Sequence, residues 1–273
     1  MGSGIVEVCA RAGLDVTFVE GSDELVAAGR GRVERSIGKA VDRGKLDAAA
    51  ADEALAGIAG TSDLAELAGV DLVIEAATED RQAKEAIFAR LGELTRPEVV
   101  LASNTSSIPI RLLGEASGRP DRVIGMHFFN PPPVMALLEL TPSVSTSEDT
   151  YELVRTFGTE VLGKTCVRSQ DGAGFIVNRL LIPYLFDAIR LYEAGFATRE
   201  DIDTAMRLGL AHPMGPLELS DLIGLDTLLA IGEVLGEAFP GDPRYEAPAL
   251  LRRMVAAGRL GRKSGGGFVD ERP

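Results

Sequence analysis

The sequence contains two histidines, and one of them, His127, interrupts the apolar run Val123-Ile124-Gly125-Met126-His127-Phe128-Phe129. Twelve residues later (139 − 127 = 12) Glu139 interrupts Val134-Met135-Ala136-Leu137-Leu138-Glu139-Leu140 in the same way. A buried carboxylate is costly unless paired, so adjacent strands carrying one His and one Glu suggest that each is the other's partner. Such a pair has a chemical use. The carboxylate holds one ring N–H, fixes the tautomer, and leaves the other nitrogen as a general base. A lone His in an apolar run is also a common hydrogen-bonded core residue, and the residues alone leave both readings open. Two further polar clusters fall at element ends, where α/β active sites collect. Ser103-Asn104-Thr105-Ser106-Ser107 follows a strand ending at Ala102, and Asn178 sits in Phe175-Ile176-Val177-Asn178-Arg179. They read as caps and interdomain hydrogen bonds, or as holders of a substrate carbonyl oxygen. A Ser–His hydrolase is less attractive, because no G-x-S-x-G elbow is present.

These residues need elements to position them, and two regions of different periodicity supply them. Up to about Asp171, short apolar runs alternate with amphipathic helical stretches, as in βαβ units. The predicted strands are Asp15 to Val19, Asp71 to Ala76, Val99 to Ala102, Val123 to Phe129, Val134 to Leu140 and Thr165 to Arg168. After Gly174 the pattern is helical: Phe175 to Glu193, a helix opened by the Thr198-Arg199-Glu200-Asp201 cap and ending near Gly209, and further helices after Pro216, Leu225 and Pro248. The expectation is an α/β, Rossmann-type doubly wound domain over 1–171 and an all-helical domain over 172–273. The Gly265-Gly266-Gly267 stretch reads as a loop.

Composition bounds the function. The 273 residues carry 28 Lys+Arg against 41 Asp+Glu, a formal charge of −13, which argues against a nucleic-acid or anionic-membrane binder. No apolar run approaches the roughly 18 residues of a membrane span, and the start lacks signal-peptide order. Cys9 and Cys166 form no CxxC, so neither a disulfide framework nor a cysteine metal site is expected, and a reducing, cytoplasmic setting is. Within this acidic chain, Arg30, Arg32, Arg35, Lys39, Arg43 and Lys45 stand against only Glu34 and Asp42. Positions 32, 35, 39 and 43 share a helical face, which is either a solvated surface or a docking strip for a ligand with several phosphates.

The first residues resemble part of a dinucleotide site. Met1-Gly2-Ser3-Gly4 leads into the stripe Ile5, Val8, Cys9, Ala12, a helix that ends at Gly13, and the strand after it closes on Glu20. In a dinucleotide-binding βαβ unit a strand ends in GxGxxG, the helix N-terminus faces the pyrophosphate, and an acid at the second strand's end takes the ribose hydroxyls. Here the helix, second strand and acid are present, whereas the first strand and first two glycines are not. Two readings follow, a start upstream of Met1 or a weak dinucleotide site, and the intact remainder of the chain favours the first.

Five segments together identify a family resemblance: Ala102 to Ser107, Gly125-Met126-His127-Phe128-Phe129-Asn130-Pro131, Gly174 to Arg179, Glu200 to Met206 and His212-Pro213-Met214-Gly215-Pro216. They resemble the L-3-hydroxyacyl-CoA dehydrogenases, including the bacterial 3-hydroxybutyryl-CoA dehydrogenases, from Met1 to about Phe268. The resemblance implies reversible, NAD-dependent oxidation of an (S)-3-hydroxyacyl-CoA to the 3-ketoacyl-CoA. It places the catalytic histidine at His127, its glutamate at Glu139, and substrate-orienting groups at Ser106 and Asn178. It implies cofactor contacts at Gly2, Glu20, Ala77, Glu79, Lys84 and Asn104, CoA contacts at Ser36 and Arg43, and no metal. A homodimer through the helical domain is implied as well. Three departures stand out: the absent first glycines, Asp171-Gly172-Ala173-Gly174 without the family's usual proline, and Glu20 where Asp is common. Either acid should repel a 2′-phosphate, so NAD is expected over NADP. The competing functions are a related dehydrogenase of a sugar acid or other 3-hydroxy acid without CoA, and a non-catalytic protein that has lost cofactor binding.

Overall fold

The computed structural model describes residues 1–269, and the chain divides into two units, Met1–Gly172 and Ala173–Pro273. The first unit contains α1 (Gly2–Arg11), β1 (Val16–Val19), α2 (Asp23–Asp42), α3 (Ala48–Ala56), β2 (Ile58–Thr61), β3 (Leu72–Glu75) and α4 (Arg81–Leu94). It continues with β4 (Val100–Ser103), α5 (Ile110–Ser117), β5 (Val123–Phe128), β6 (Leu137–Pro142), α6 (Glu148–Thr156) and β7 (Thr165–Arg168). Side chains start several helices as local chemistry requires: Ser22 accepts the Leu25 N–H before α2, and Asp80 accepts the Ala83 N–H before α4.

Strands β3-β4-β5-β6-β7 form one sheet, parallel except where β6 runs antiparallel to β5. Every residue of β4 and β5 is buried, which is why both strands read as continuous apolar runs. Leu101 and Val123 pack with Phe88 and Leu91 of α4 and Leu113 of α5. Their neighbours Val100, Ala102, Ile124 and Met126 pack with Ile5 and Cys9 of α1 and Val154 of α6. Helices therefore cover both faces, the doubly wound, Rossmann-like arrangement expected.

The sheet is interrupted at one place, where the absent first strand leaves its neighbours without a ladder partner. Strands β1 and β2 pair parallel in a separate two-stranded sheet. Val16 N–H donates to Gly57 O at 2.8 Å and Glu20 N–H to Thr61 O at 3.1 Å, so by alternation Thr17 and Val19 present their backbone groups to the other edge. In β3, Glu75 O accepts from Asn104 N–H at 2.8 Å, which leaves Leu72 and Ile74 facing outward from the ladder. Among the described residues no strand pairs with either edge. Helix α1 packs on both: Ile5 and Cys9 lie in the cluster with Leu72 and Ile74, and Ala10 in the cluster with Val16 and Phe18. The interruption thus lies above α1, and β1, which would be buried in a continuous sheet, is only half-buried along its length.

The second unit is helical: α7 (Val177–Glu193), α8 (Arg199–Gly209), α9 (Pro216–Ile223), α10 (Leu225–Ala238) and α11 (Ala249–Ala256). Ile182, Leu185, Phe186 and Ile189 of α7 form its core with Leu217, Leu228, Leu235 and Leu251. Two buried carboxylates stitch it together. Asp203 accepts the Leu217 and Glu218 N–H groups at the start of α9, and Asp221 accepts those of Phe268 and Val269. A Cβ on Gly267 would stand 2.0 Å from an Asp221 oxygen, so Gly267 makes a close packing contact within the loop. No helix among the described residues is long and apolar enough to cross a membrane.

Three element expectations and one side-chain expectation need correction. Strand β2 is absent from the predicted strands, because Ala59-Gly60 between its two β-branched ends removes any alternation. The strand expected from Val134 begins at Leu137, since Val134 and Met135 N–H groups close a turn onto Pro131 O. Helix α7 begins at Val177, because Gly174 and Phe175 adopt φ of +76° and +44°, incompatible with a helix. Arg30 is not part of a free basic strip: its guanidinium donates to Ile58 O, Leu55 O and Glu34, tying α2 to β2.

Candidate active site

The chemistry gathers where β3, β4 and β5 end. Antiparallel pairing sets His127 of β5 directly opposite Glu139 of β6, the partnership that two polar residues in apolar runs suggest. His127 Nδ1 lies 2.8 Å from Glu139 Oε2, the carboxylate side chain 0% and the imidazole 9% exposed. With the carboxylate ionised, the complementary arrangement has Nδ1–H donating, so the lone pair resides on Nε2. Phe129 packs against the imidazole at 4.7 Å between ring centroids, and the Asn130–Pro131 peptide that follows is cis.

The end of β4 grips the end of β5. Asn104 Oδ1 accepts the Phe128 N–H at 2.9 Å, one residue beyond His127, and this leaves the Asn104 amide nitrogen to donate elsewhere. Beneath it lies a buried ion pair that the sequence reading missed. Lys84 Nζ is 2.5 Å from Glu75 Oε2 and 3.4 Å from Ser103 Oγ, while Glu75 also accepts from Ser103 Oγ and from Ala77 N–H. Lys84 is 1% exposed, and its ammonium ties β3 to β4. A signal existed: Glu75 breaks an apolar strand as Glu139 does, and Lys84 follows nine positions later on α4.

Ser106 lies on the loop after β4. Its N–H and its hydroxyl both donate to Glu79 Oε1, at 2.8 and 3.1 Å, and the Thr105 hydroxyl donates to Glu79 Oε2 at 2.8 Å. From the other side Asp171 accepts the Ile110 and Arg111 N–H groups and caps α5, a role the sequence reading did not assign. Asn178 belongs to the second unit, buried in the first turn of α7 just after the left-handed Gly174 and Phe175. Such backbone strain at a bulky residue marks a position that its surroundings over-determine.

Around β1 and α2, Gly2 is the first residue of α1, and Glu20 sits one residue past β1 with its carboxylate 37% exposed and 3.5 Å from Arg32. Ser36, Arg35, Lys39 and Arg43 lie exposed along and just past α2. Burial pushes the Cys9 thiol up to about 11, and burial raises Cys166 also, so neither is a ready thiolate.

A Rossmann-like unit with a buried His–Glu pair at its strand ends, followed by a helical unit, defines a two-domain nucleotide-dependent dehydrogenase. Residues 1–172 match the "3-hydroxyacyl-CoA dehydrogenase, NAD binding domain" family and residues 174–271 the "3-hydroxyacyl-CoA dehydrogenase, C-terminal domain" family. A 3-hydroxybutyryl-CoA dehydrogenase of Mycobacterium tuberculosis (strain ATCC 25618 / H37Rv) is 52% identical over 269 residues, 98% of this chain and 94% of its own. The crystal structure of M. tuberculosis FadB2 superposes with a TM-score of 0.95 at 51% identity, covering 98% of this chain and 94% of that one. The (S)-3-hydroxybutyryl-CoA dehydrogenase PaaH1 of Ralstonia eutropha gives 0.91 at 45% identity, with the same coverage of 98% and 94%. The chain belongs to the 3-hydroxyacyl-CoA dehydrogenase family, and it is an NAD-dependent oxidoreductase.

Proposed function

We propose that the protein interconverts (S)-3-hydroxybutyryl-CoA and acetoacetyl-CoA, with His127 as the general base. The observation that carries the assignment of His127 is its pairing with the fully buried Glu139 across β5 and β6. In the oxidative direction His127 Nε2 takes the proton of the 3-hydroxyl, and Glu139, hydrogen-bonded at Nδ1, stabilises the imidazolium that forms. The oxidation balances because a bound NAD, held by residues such as Glu20 and Asn104, would supply the hydride acceptor for C3. Ser106 hydrogen-bonds the oxygen at C3, and Asn178 is assigned to binding of the acyl substrate.

The residues present suit a dinucleotide. Glu20 offers a half-exposed carboxylate beyond β1, where an acid takes ribose hydroxyls and repels a 2′-phosphate, and Asn104 retains amide donors. Ala77 is exposed at the turn beyond β3, a place for the cofactor to pass. Ser36 and Arg43, with the exposed Arg35 and Lys39, form the docking strip for the CoA phosphates. A homodimer through the second unit is supported by its exposed large apolar side chains, among them Leu180 at 70%, Phe196 at 78% and Leu208 at 81%. Two free cysteines fit a reducing cytoplasm. The test is acetoacetyl-CoA-dependent oxidation of NADH, with acetoacetate as the comparison substrate. Turnover with the thioester and none with the free acid supports the reading, whereas binding of NADH without turnover of any acyl-CoA overturns it.

A further inference from the structure

Of the two arginines that flank Gly31 on α2, one is spent on holding the fold: Arg30 donates to Ile58 O, Leu55 O and Glu34. Arg32 shares a helical face with Arg35 and Lys39, yet its guanidinium turns to the end of β1, where Nη2 lies 3.5 Å from Glu20 Oε1. A Cβ on Gly29 would stand 3.1 Å from the Phe18 ring and 3.6 Å from both Arg32 Nη2 and Glu20 Oε1. The buried glycine therefore lets α2 lie close on β1 and keeps the ground beside the two charges clear. Asp23, the next acid along the chain, accepts the Ser62 hydroxyl at 2.6 Å. Both members of the Arg32–Glu20 pair stay open to solvent, the arginine side chain 48% and the carboxylate side chain 37% exposed. A guanidinium has five N–H donors, so most of the Arg32 fork is left for a ligand.

We propose that Arg32 is a specificity-determining residue for the cofactor: it is the group that meets a phosphate on the 2′ oxygen of the adenosine ribose, and Glu20 is what keeps that phosphate out. The inference rests on the place given to Glu20 above, beside the ribose hydroxyls. An ionised carboxylate accepts at about four lone-pair positions, so Glu20 can hold the ribose of NAD and Arg32 together. A 2′-phosphate is repelled by that carboxylate. The guanidinium that balances it stands 3.5 Å away, and a nearby Arg is the side chain that accommodates a 2′-phosphate in a dinucleotide-binding unit. Preference for NAD thus depends on one carboxylate set against one guanidinium, and removing the carboxylate reverses the preference instead of merely weakening binding.

Direct binding tests this without turnover: the Kd of NADH and of NADPH, each followed by nicotinamide fluorescence on the full chain. Glu20→Ala should weaken NADH about tenfold and tighten NADPH about tenfold, the scale of one hydrogen bond to a charged group. Adding Arg32→Ala to Glu20→Ala should cancel the NADPH gain and leave NADH where the single variant put it. Arg32→Ala alone should weaken NADPH about tenfold with NADH almost unchanged. Arg32→Lys keeps the charge without the fork and should fall between the two. Both side chains lie at the surface, so these variants keep the fold. No gain of NADPH affinity in Glu20→Ala, or an equal gain in the double variant, overturns the proposal. An equal loss of both cofactors in Arg32→Ala overturns it too, by making Arg32 a general anion contact. NADH affinity unmoved by Glu20→Ala refutes instead the place of Glu20 at the ribose, while NADPH binding to the Arg32→Ala variants still decides whether the guanidinium meets the extra phosphate.

Discussion

Replacing His127 in two ways separates its chemistry from its structural bond. In His127→Gln the side-chain amide can still donate to Glu139, whose carboxylate is 0% exposed and accepts at 2.8 Å from the native ring. The base is gone, however. Loss of a positioned general base costs about 10²- to 10⁴-fold in kcat, or about 3 to 5 kcal/mol of barrier. The fold should be nearly unaffected. In His127→Ala the same catalytic loss should come with a second effect, because a buried carboxylate loses a donor, worth about 1 to 3 kcal/mol. For a unit of this size that corresponds to a fall in Tm of about 2 to 12 °C. NADH oxidation with acetoacetyl-CoA reads the first effect and calorimetry the second. Wild-type kcat in His127→Gln refutes the mechanism; equal Tm in His127→Ala and His127→Gln refutes the energetic pairing with Glu139.

Other sites give independent checks. Lys84→Met should destabilise the first unit by about 3 to 5 kcal/mol by stranding Glu75, and Lys84→Met with Glu75→Leu should recover most of it; equal urea midpoints for the two would refute the buried pair. Arg35→Glu with Arg43→Glu should raise KM for acetoacetyl-CoA and leave that for NADH unchanged, and an unmoved acyl-CoA KM would remove the docking strip. Burial pushes the carboxyls of Asp203 and Asp221 above the ordinary aspartate value. A raised folded-state value favours the protonated form, so the stability these groups contribute is complete below the unfolded value and lost as pH rises through the folded one. Acidification from neutral pH should therefore relieve the second unit at these two positions, and Asp221→Asn should flatten that part of a urea-stability profile; an identical profile in the variant would contradict the sign.

Much of the site was legible because burial forbids certain residues without partners. His127 and Glu139 stood out as polar residues in apolar strands, and the cost of desolvation made each a candidate partner for the other. The Thr198 cap and the Pro216 start announced α8 and α9 for equally local reasons, a side-chain acceptor for orphan N–H groups and a ring that needs no N–H. The division into an α/β part and a helical part followed from hydrophobic period. Tertiary structure decided what those local rules do not encode. Strand β2 has no alternation to read, and it exists because β1 offers it a ladder. Arg30 looked like one more surface charge until folding brought Leu55 and Ile58 carbonyls to it. The Lys84–Glu75 pair and the Glu79–Ser106 hydrogen bonds form because the ends of β3 and β4 lie side by side. Composition and spacing state which polar groups must find partners; only the register of neighbouring strands and loops states which partners are within reach, since hydrogen bonds act over about 3 Å and sequence distance does not measure that.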